Sequence, residues 1–166
     1  MAGLASPAER KGNAPVKSDA PRLPSTNRPT APSGVSEGGP AEWRGCGTLL
    51  VVDDDQAVRT VLQFLLERCG FTVVTAADGR SAVETFRRCA NEIRLVLLDL
   101  MLPDIDGDAA FRLMRQIRPG LRAILCSGYL VESDVVQRAG AGWAAVIRKP
   151  FRPELLLRAV RTALES

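Results

Sequence analysis

The 166-residue chain contains no histidine. Histidine is the side chain whose ordinary pKa lies closest to neutrality, and it is the commonest metal ligand. No imidazole acid–base, metal–imidazole or phosphohistidine chemistry can therefore originate in these residues. Cysteine is scarce: Cys46, Cys69, Cys89 and Cys126 stand far apart with no CxxC pair, a spacing that supports neither a zinc site nor a disulfide framework. They read as small apolar side chains in a reducing compartment. No run of about 18 apolar residues is present to make a membrane-spanning helix, and the opening MAGLASPAERKG lacks the apolar stretch of a secretory signal. A cytoplasmic location is expected. A block of like charge is missing too. The net charge of +3 comprises six Lys/Arg against four Asp/Glu over residues 1–44 and sixteen against fifteen over 45–166, so neither direct DNA binding nor membrane association is expected.

Residues 1–44 lack the material for a core. They hold seven of the eleven prolines, five glycines and five serines, and their only large apolar side chains are Leu4, Val16, Leu23, Val35 and Trp43. Ordering the backbone costs roughly 1–2 kcal/mol per residue, which so little burial does not offset. A disordered N-terminal tail over 1–44 and one folded domain over 46–165 are expected.

Within the folded part, short apolar runs alternate with stretches of helical period. Thr48 to Val52 reads as a strand, followed by Asp53-Asp54-Asp55 and then a helix with Val58, Val61, Leu62, Leu65 and Leu66 on one face, stopped at Gly70. Strands are predicted at Phe71–Thr75, Leu95–Leu98, Leu121–Cys126 and Ala144–Ile147. Helices are predicted at Ser81–Cys89, with Ala82, Val83 and Phe86 inward, and at Ala109–Ile117, with Ala110, Leu113, Met114 and Ile117 inward. Two more are predicted, around Glu132–Ala139 and from Pro153 to Leu164. Five such units joined by short loops imply an α/β fold with a doubly wound, five-stranded parallel sheet in the order 2-1-3-4-5.

In such a sheet ligands bind beyond the carboxyl ends of the strands, where the strand order reverses. Strand 1 ends in Asp53, Asp54 and Asp55, strand 3 in Asp99 and strand 4 in Ser127, while strand 5 leads to Lys149. Crowded carboxylates repel unless a cation joins them. An all-oxygen donor set without histidine or clustered thiols favours Mg2+, with Mn2+ the alternative. Lys149 and the Ser127 hydroxyl could contact phosphate oxygens, and a carboxylate can itself accept a phosphoryl group. Taken singly, each residue also has an ordinary explanation: a helix cap for Asp53–Asp55, a loop acid for Asp99, a turn for Ser127-Gly128 and a surface pair for Lys149-Pro150.

The four segments LLVVDDDQAVR (49–59), LVLLDLMLPDIDG (95–107), ILCSGY (124–129) and VIRKPF (146–151), in this order and spacing, resemble the receiver domain of two-component response regulators, which has a flavodoxin-like (βα)5 fold. The resemblance covers about residues 46–165. It implies that Asp99 is the phosphoacceptor and that Asp53 and Asp54 position Mg2+, with Asp54 the direct ligand. It implies further that the Met101 backbone carbonyl is a metal ligand, Ser127 the switch hydroxyl and Lys149 the phosphoryl contact. The Lys149–Pro150 bond is expected to be cis, and Asp106-Gly107 to form the turn into the third helix.

The implied donor is a sensor histidine kinase or a histidine phosphotransfer protein. The implied output is a contact with a downstream protein that the sequence does not identify, or a phosphorelay. The face formed by the fourth helix, fifth strand and fifth helix is a candidate homodimer surface. Such a protein is a phosphoacceptor with autodephosphorylation rather than a conventional enzyme. A haloacid-dehalogenase-like phosphatase is disfavoured because Met101 stands where that class carries a second acid.

Many receivers carry Tyr or Phe three residues before the lysine; here the residue is Val146. Trp143 is a candidate for contacting a partner, and Tyr129 and the Met101 side chain are candidates for bordering the phosphoryl group. With Met1 at one end and Glu165-Ser166 at the other, a single-domain regulator without an output domain is expected. The alternatives are the receiver module of a hybrid histidine kinase and a degenerate receiver that only binds protein.

Overall fold

The computed structural model describes residues 43–128 and 142–166. The expected disordered tail, Tyr129 and the helix expected around Glu132–Ala139 lie outside the described residues, apart from Trp43 and Arg44 at the tail's end. The sheet contains β1 (Thr48–Val52), β2 (Thr72–Ala76), β3 (Ile93–Asp99), β4 (Ala123–Ser127) and β5 (Ala145–Arg148). Its order is β2-β1-β3-β4-β5 and every pairing is parallel. The described helices are α1 (Gln56–Arg68), α2 (Gly79–Cys89), α3 (Gly107–Ile117) and a C-terminal helix, Pro153–Glu165. No described helix is long and apolar enough to cross a membrane.

Strand composition follows position in the sheet. The inner strands β1, β3 and β4 are buried almost throughout, whereas the edges β2 and β5 are mostly partly buried or exposed, with one buried residue each, Ala76 and Ile147. Helices cover both faces of the inner strands, so unbroken apolar runs are what these strands require. Successive side chains feed two cores. Leu50, Val52, Val96, Leu98 and Leu125 pack with α2 and α3; Leu49, Val51, Leu95, Leu97 and Ile124 pack with α1 and the C-terminal helix. A register shift beside Thr48 leaves Arg94 without a partner on β1, so Ile93 and Leu95 enter opposite cores. One inserted residue inverts the side-chain alternation of a strand, and the exposed Arg94 at this point interrupts the apolar run, which is why the predicted strand starts at Leu95, two residues late.

Helix boundaries have chemical causes. Asp55 caps α1, its carboxylate accepting from the Ala57 and Val58 amides at 2.7 and 3.4 Å. The helix ends where Gly70, at φ +95°, donates to the Glu67 carbonyl and Phe71 donates to the Leu66 carbonyl, a left-handed termination that favours glycine. The inward faces need three corrections. Val61 is 64% exposed, because α1 buries chiefly the Leu62–Leu66 stripe. Leu113 and Ile117 are also exposed, because Phe111 turns into the core of α3 instead. Trp143 is buried, its ring centroid 4.2 Å from that of Phe111 and its indole N–H donating to Asp108 at 3.2 Å. Its role is core packing, not partner contact.

All four cysteines are free thiols; Cys46 is exposed, while Cys69 and Cys126 are buried. Burial pushes the Cys126 thiol up to about 12 and raises that of Cys69, keeping both as unreactive thiols near neutrality. Native thiol titration is expected to label Cys46 rapidly and Cys69 and Cys126 only after denaturant is added; rapid native labelling of Cys126 would contradict the packing of β4.

Candidate metal and phosphoryl site

The strand order reverses between β1 and β3, so the chain leaves these adjacent strands in opposite directions and opens a crevice at their carboxyl ends. Asp53 follows β1, and its amide donates to the Ala76 carbonyl at the end of β2 at 3.3 Å. Asp99 is the last residue of β3 and Ser127 the last of β4. Asp53, Asp99 and Ser127 are the buried polar side chains among the described residues, whereas Asp54 is exposed. One carboxylate oxygen from each of Asp53, Asp54 and Asp99 lies within 4.8 Å of the other two. The structure thus brings together the three acids singled out in the sequence, in a cluster able to coordinate a divalent cation.

The lysine of the β5–helix connection completes the cluster. Its amide donates to the Ser127 carbonyl at 2.8 Å, and the Lys149–Pro150 bond is cis. The Lys149 ammonium lies 2.5 Å from Asp53 Oδ2 and 2.5 Å from Asp99 Oδ2, bridging the two buried carboxylates. The remaining oxygens are also used. Asp53 Oδ1 accepts from the Asp55 amide at 3.0 Å, and Asp99 Oδ1 accepts from the Met101 amide at 3.2 Å. The Met101 side chain is 59% exposed at the rim.

The electrostatics follow from this geometry. Burial pushes the Asp53 carboxyl above its ordinary value, against the hydrogen bond and positive charge of Lys149. Burial alone would lower Lys149, but its two carboxylate partners outweigh that and hold the ammonium above its ordinary value. Lys149 therefore stays charged at neutral pH. A hard cation in the cluster would relieve the cost of ionising Asp53, and the donor set contains only oxygen, as Mg2+ prefers.

Two residues in the site's support were not singled out from sequence. Arg59 on α1 donates to the Asp53 and Asp54 carbonyls at 2.6 and 3.0 Å, fixing the acidic turn from below. Its position one helical turn past Asp55 was the available signal. Asp104, in the loop after β3, accepts from the first two amides of α2 at 2.8 Å each. The contact spans 25 residues of chain and has no local signature.

A five-stranded doubly wound sheet with an acidic cluster and a lysine at its switch point defines a class of proteins, and the comparisons agree. The family model for the response regulator receiver domain matches residues 49–161. The chain belongs to this receiver family. It is 33% identical over 117 residues to the chemotaxis protein CheY of Bacillus subtilis, covering 70% of this chain and 96% of that protein. It is also 31% identical over 122 residues to the sensor kinase CckA of Brucella abortus, covering 74% of this chain but only 13% of CckA. Among solved structures, it resembles the CheX–CheY–BeF3–Mg2+ complex from Borrelia burgdorferi with a TM-score of 0.67 and 27% identity, over 70% of this chain and 87% of that one.

The bridging ammonium leads to a pH prediction. Because the folded pKa of Lys149 exceeds its unfolded value of 10.5, its stabilisation is fully present below that value and is lost as pH rises through the folded pKa. Lys149→Met in metal-free buffer is expected to cost about 2 kcal/mol at pH 8, between a surface pair and a fully buried one because the ammonium is partly solvated. The deficit should shrink above pH 10.5. Urea midpoints that keep a constant gap to high pH would contradict the bridge.

Proposed function

We propose that the chain accepts a phosphoryl group on Asp99 from a phosphohistidine donor, with Mg2+ as the required cation. The observation that carries this reading is the convergence of Asp53, Asp54 and Asp99 oxygens within 4.8 Å beside a lysine that bridges two of them. The presence of Mg2+ and BeF3 in the related CheY complex supports the same chemistry here. Asp53, Asp54, Asp99 and the Met101 backbone carbonyl would hold the metal. When bound, the ion would offset carboxylate repulsion and the charge of the phosphoryl oxygens.

In this reading an Asp99 oxygen attacks phosphorus, the P–N bond of the donor breaks as the new O–P bond forms, and the released imidazole takes up a proton from solvent. Lys149 exchanges one carboxylate partner for a phosphoryl oxygen. The Ser127 hydroxyl donates to another, coupling β4 to the phosphorylation state. Water later hydrolyses the acyl phosphate at a rate that the exposed Met101 side chain helps to set. Val146 is partly buried and packs against the core shared with α2 and α3, so the switch at this position works without an aromatic ring. Exposed Val61 and Phe64 on α1, beside an apolar groove that reaches Lys149 and Pro150, supply contact area for a donor kinase or phosphotransfer protein. The output is a protein contact, with a homodimer involving β5 and the C-terminal helix as one form, or onward phosphotransfer. The match to part of CckA keeps the hybrid-kinase receiver as the second reading.

Incubation with Mg2+ and phosphoramidate is expected to add about 80 Da to the wild-type chain and nothing to Asp99→Asn. Equal labelling of the two would overturn the assignment, and no labelling of the wild type by phosphoramidate or any donor kinase would favour a receiver that only binds protein. A second expectation separates the acids from the lysine. Asp54→Ala should weaken Mg2+ binding at least tenfold, while Lys149→Ala leaves it comparatively intact and slows labelling. Equal Mg2+ affinities for the two variants would contradict these roles.

A further inference from the structure

The loop between β3 and α3 carries the Met101 carbonyl, and of its own residues only Pro103 restricts the backbone, at a single φ. Its ends are closed by Gly107, whose amide donates to the Leu100 carbonyl at 2.9 Å. A Cβ on Gly107 would lie 2.2 Å from the Asp99 carbonyl oxygen, so only glycine permits that approach. The middle of the loop is held from outside by α2.

The first amides of a helix have no partner within it, and those of Gly79, Arg80 and Ser81 in α2 can be followed. Asp104 takes the first two, its Oδ1 accepting from Gly79 and its Oδ2 from Arg80, each at 2.8 Å. The N-cap Asp78 takes the third: its side chain accepts from Ser81 at 2.7 Å, while its carbonyl receives the first intrahelical bond, from Ala82 at 3.1 Å. Desolvation alone would raise the Asp104 carboxyl, but its backbone donors, Ile105 and then Gly79 and Arg80 among them, together outweigh that and hold it below its ordinary value. Beside it, Ile105 packs on Gly79 so closely that a Cβ there would lie 2.4 Å from the Ile105 side chain. One acid thus serves its own helix, while the other reaches in from the loop that follows Asp99.

We infer that Asp104 is a positioning residue for the metal site: by docking on the N-terminus of α2 it fixes the loop that presents the Met101 carbonyl next to Asp99. The inference rests on the Mg2+-dependent reading given above. A purely structural cap would matter only for stability. Asp78 supplies the control, since its hydrogen bonds to Ser81 and Ala82 cap the same helix from within.

The test is a Mg2+ titration of the full chain, followed by amide chemical shifts, for wild type, Asp104→Ala, Asp104→Asn and Asp78→Ala. Asp104→Ala is expected to weaken Mg2+ binding about tenfold, in the range of an outer-shell metal partner. Asp104→Asn, which keeps one acceptor oxygen and serves if the alanine variant does not fold, should weaken it by a smaller factor. Asp78→Ala should lower the thermal midpoint but leave Mg2+ affinity at the wild-type value. Excess Mg2+ should restore the phosphoramidate labelling rate of the Asp104 variants. Unchanged affinity in both Asp104 variants, or an equal loss in Asp78→Ala, would overturn the inference while leaving the site reading intact. Failure of the wild-type chain to bind Mg2+ would overturn both.

Discussion

Lys149 sits at the point where the sheet's topology becomes chemistry. Its ammonium touches Asp53 from β1 and Asp99 from β3, while its amide is held by Ser127 at the end of β4. Buried carboxylates this close would repel if nothing positive lay between them, and the ammonium supplies that charge from the connection that follows β5. The order β2-β1-β3-β4-β5 is what brings these four residues together across nearly a hundred positions of chain. A cation that joins the cluster shares this balancing role with Lys149 and frees the ammonium for a third negatively charged group.

Around this centre the molecule assigns separate residues to separate tasks. Asp55 caps α1 and so leaves Asp53 and Asp54 for the crevice. Arg59 secures the carbonyls of the same turn. The two cores, one on each face of the sheet, hold the inner strands so that their ends stay fixed. Asp99 and Ser127 are thus anchored by their strands, Asp53 by the Asp55 amide, the Asp54 backbone by Arg59 and the Lys149 backbone by Ser127, and positioning of this kind is what phosphoryl-transfer sites depend on.

Much of this was legible in the sequence because it is written in local patterns. Apolar runs located the five strands, and the acids and lysine that follow them located the site. What the sequence obscured has identifiable physical causes. Arg94 sits at a bulge, so a polar residue interrupted the apolar signal of β3. Val61, Leu113 and Ile117 carry the helical period yet lie outside the narrower stripe that the sheet covers. Trp143 is buried by its partners Phe111 and Asp108, which lie more than thirty residues earlier. Asp104 is one acid among several in PDIDGD, and only the fold brings the amides of α2 to it.

The central claim is that one carboxylate of the cluster, Asp99, is the group that becomes phosphorylated. Hydride reduction of an acyl phosphate converts the modified aspartate to homoserine, so peptide mass mapping after Mg2+-dependent labelling and borohydride treatment reads the site directly. The account predicts homoserine at residue 99 alone. Homoserine at residue 53 or 54, or a labelled protein with aspartate intact at residue 99, would contradict it.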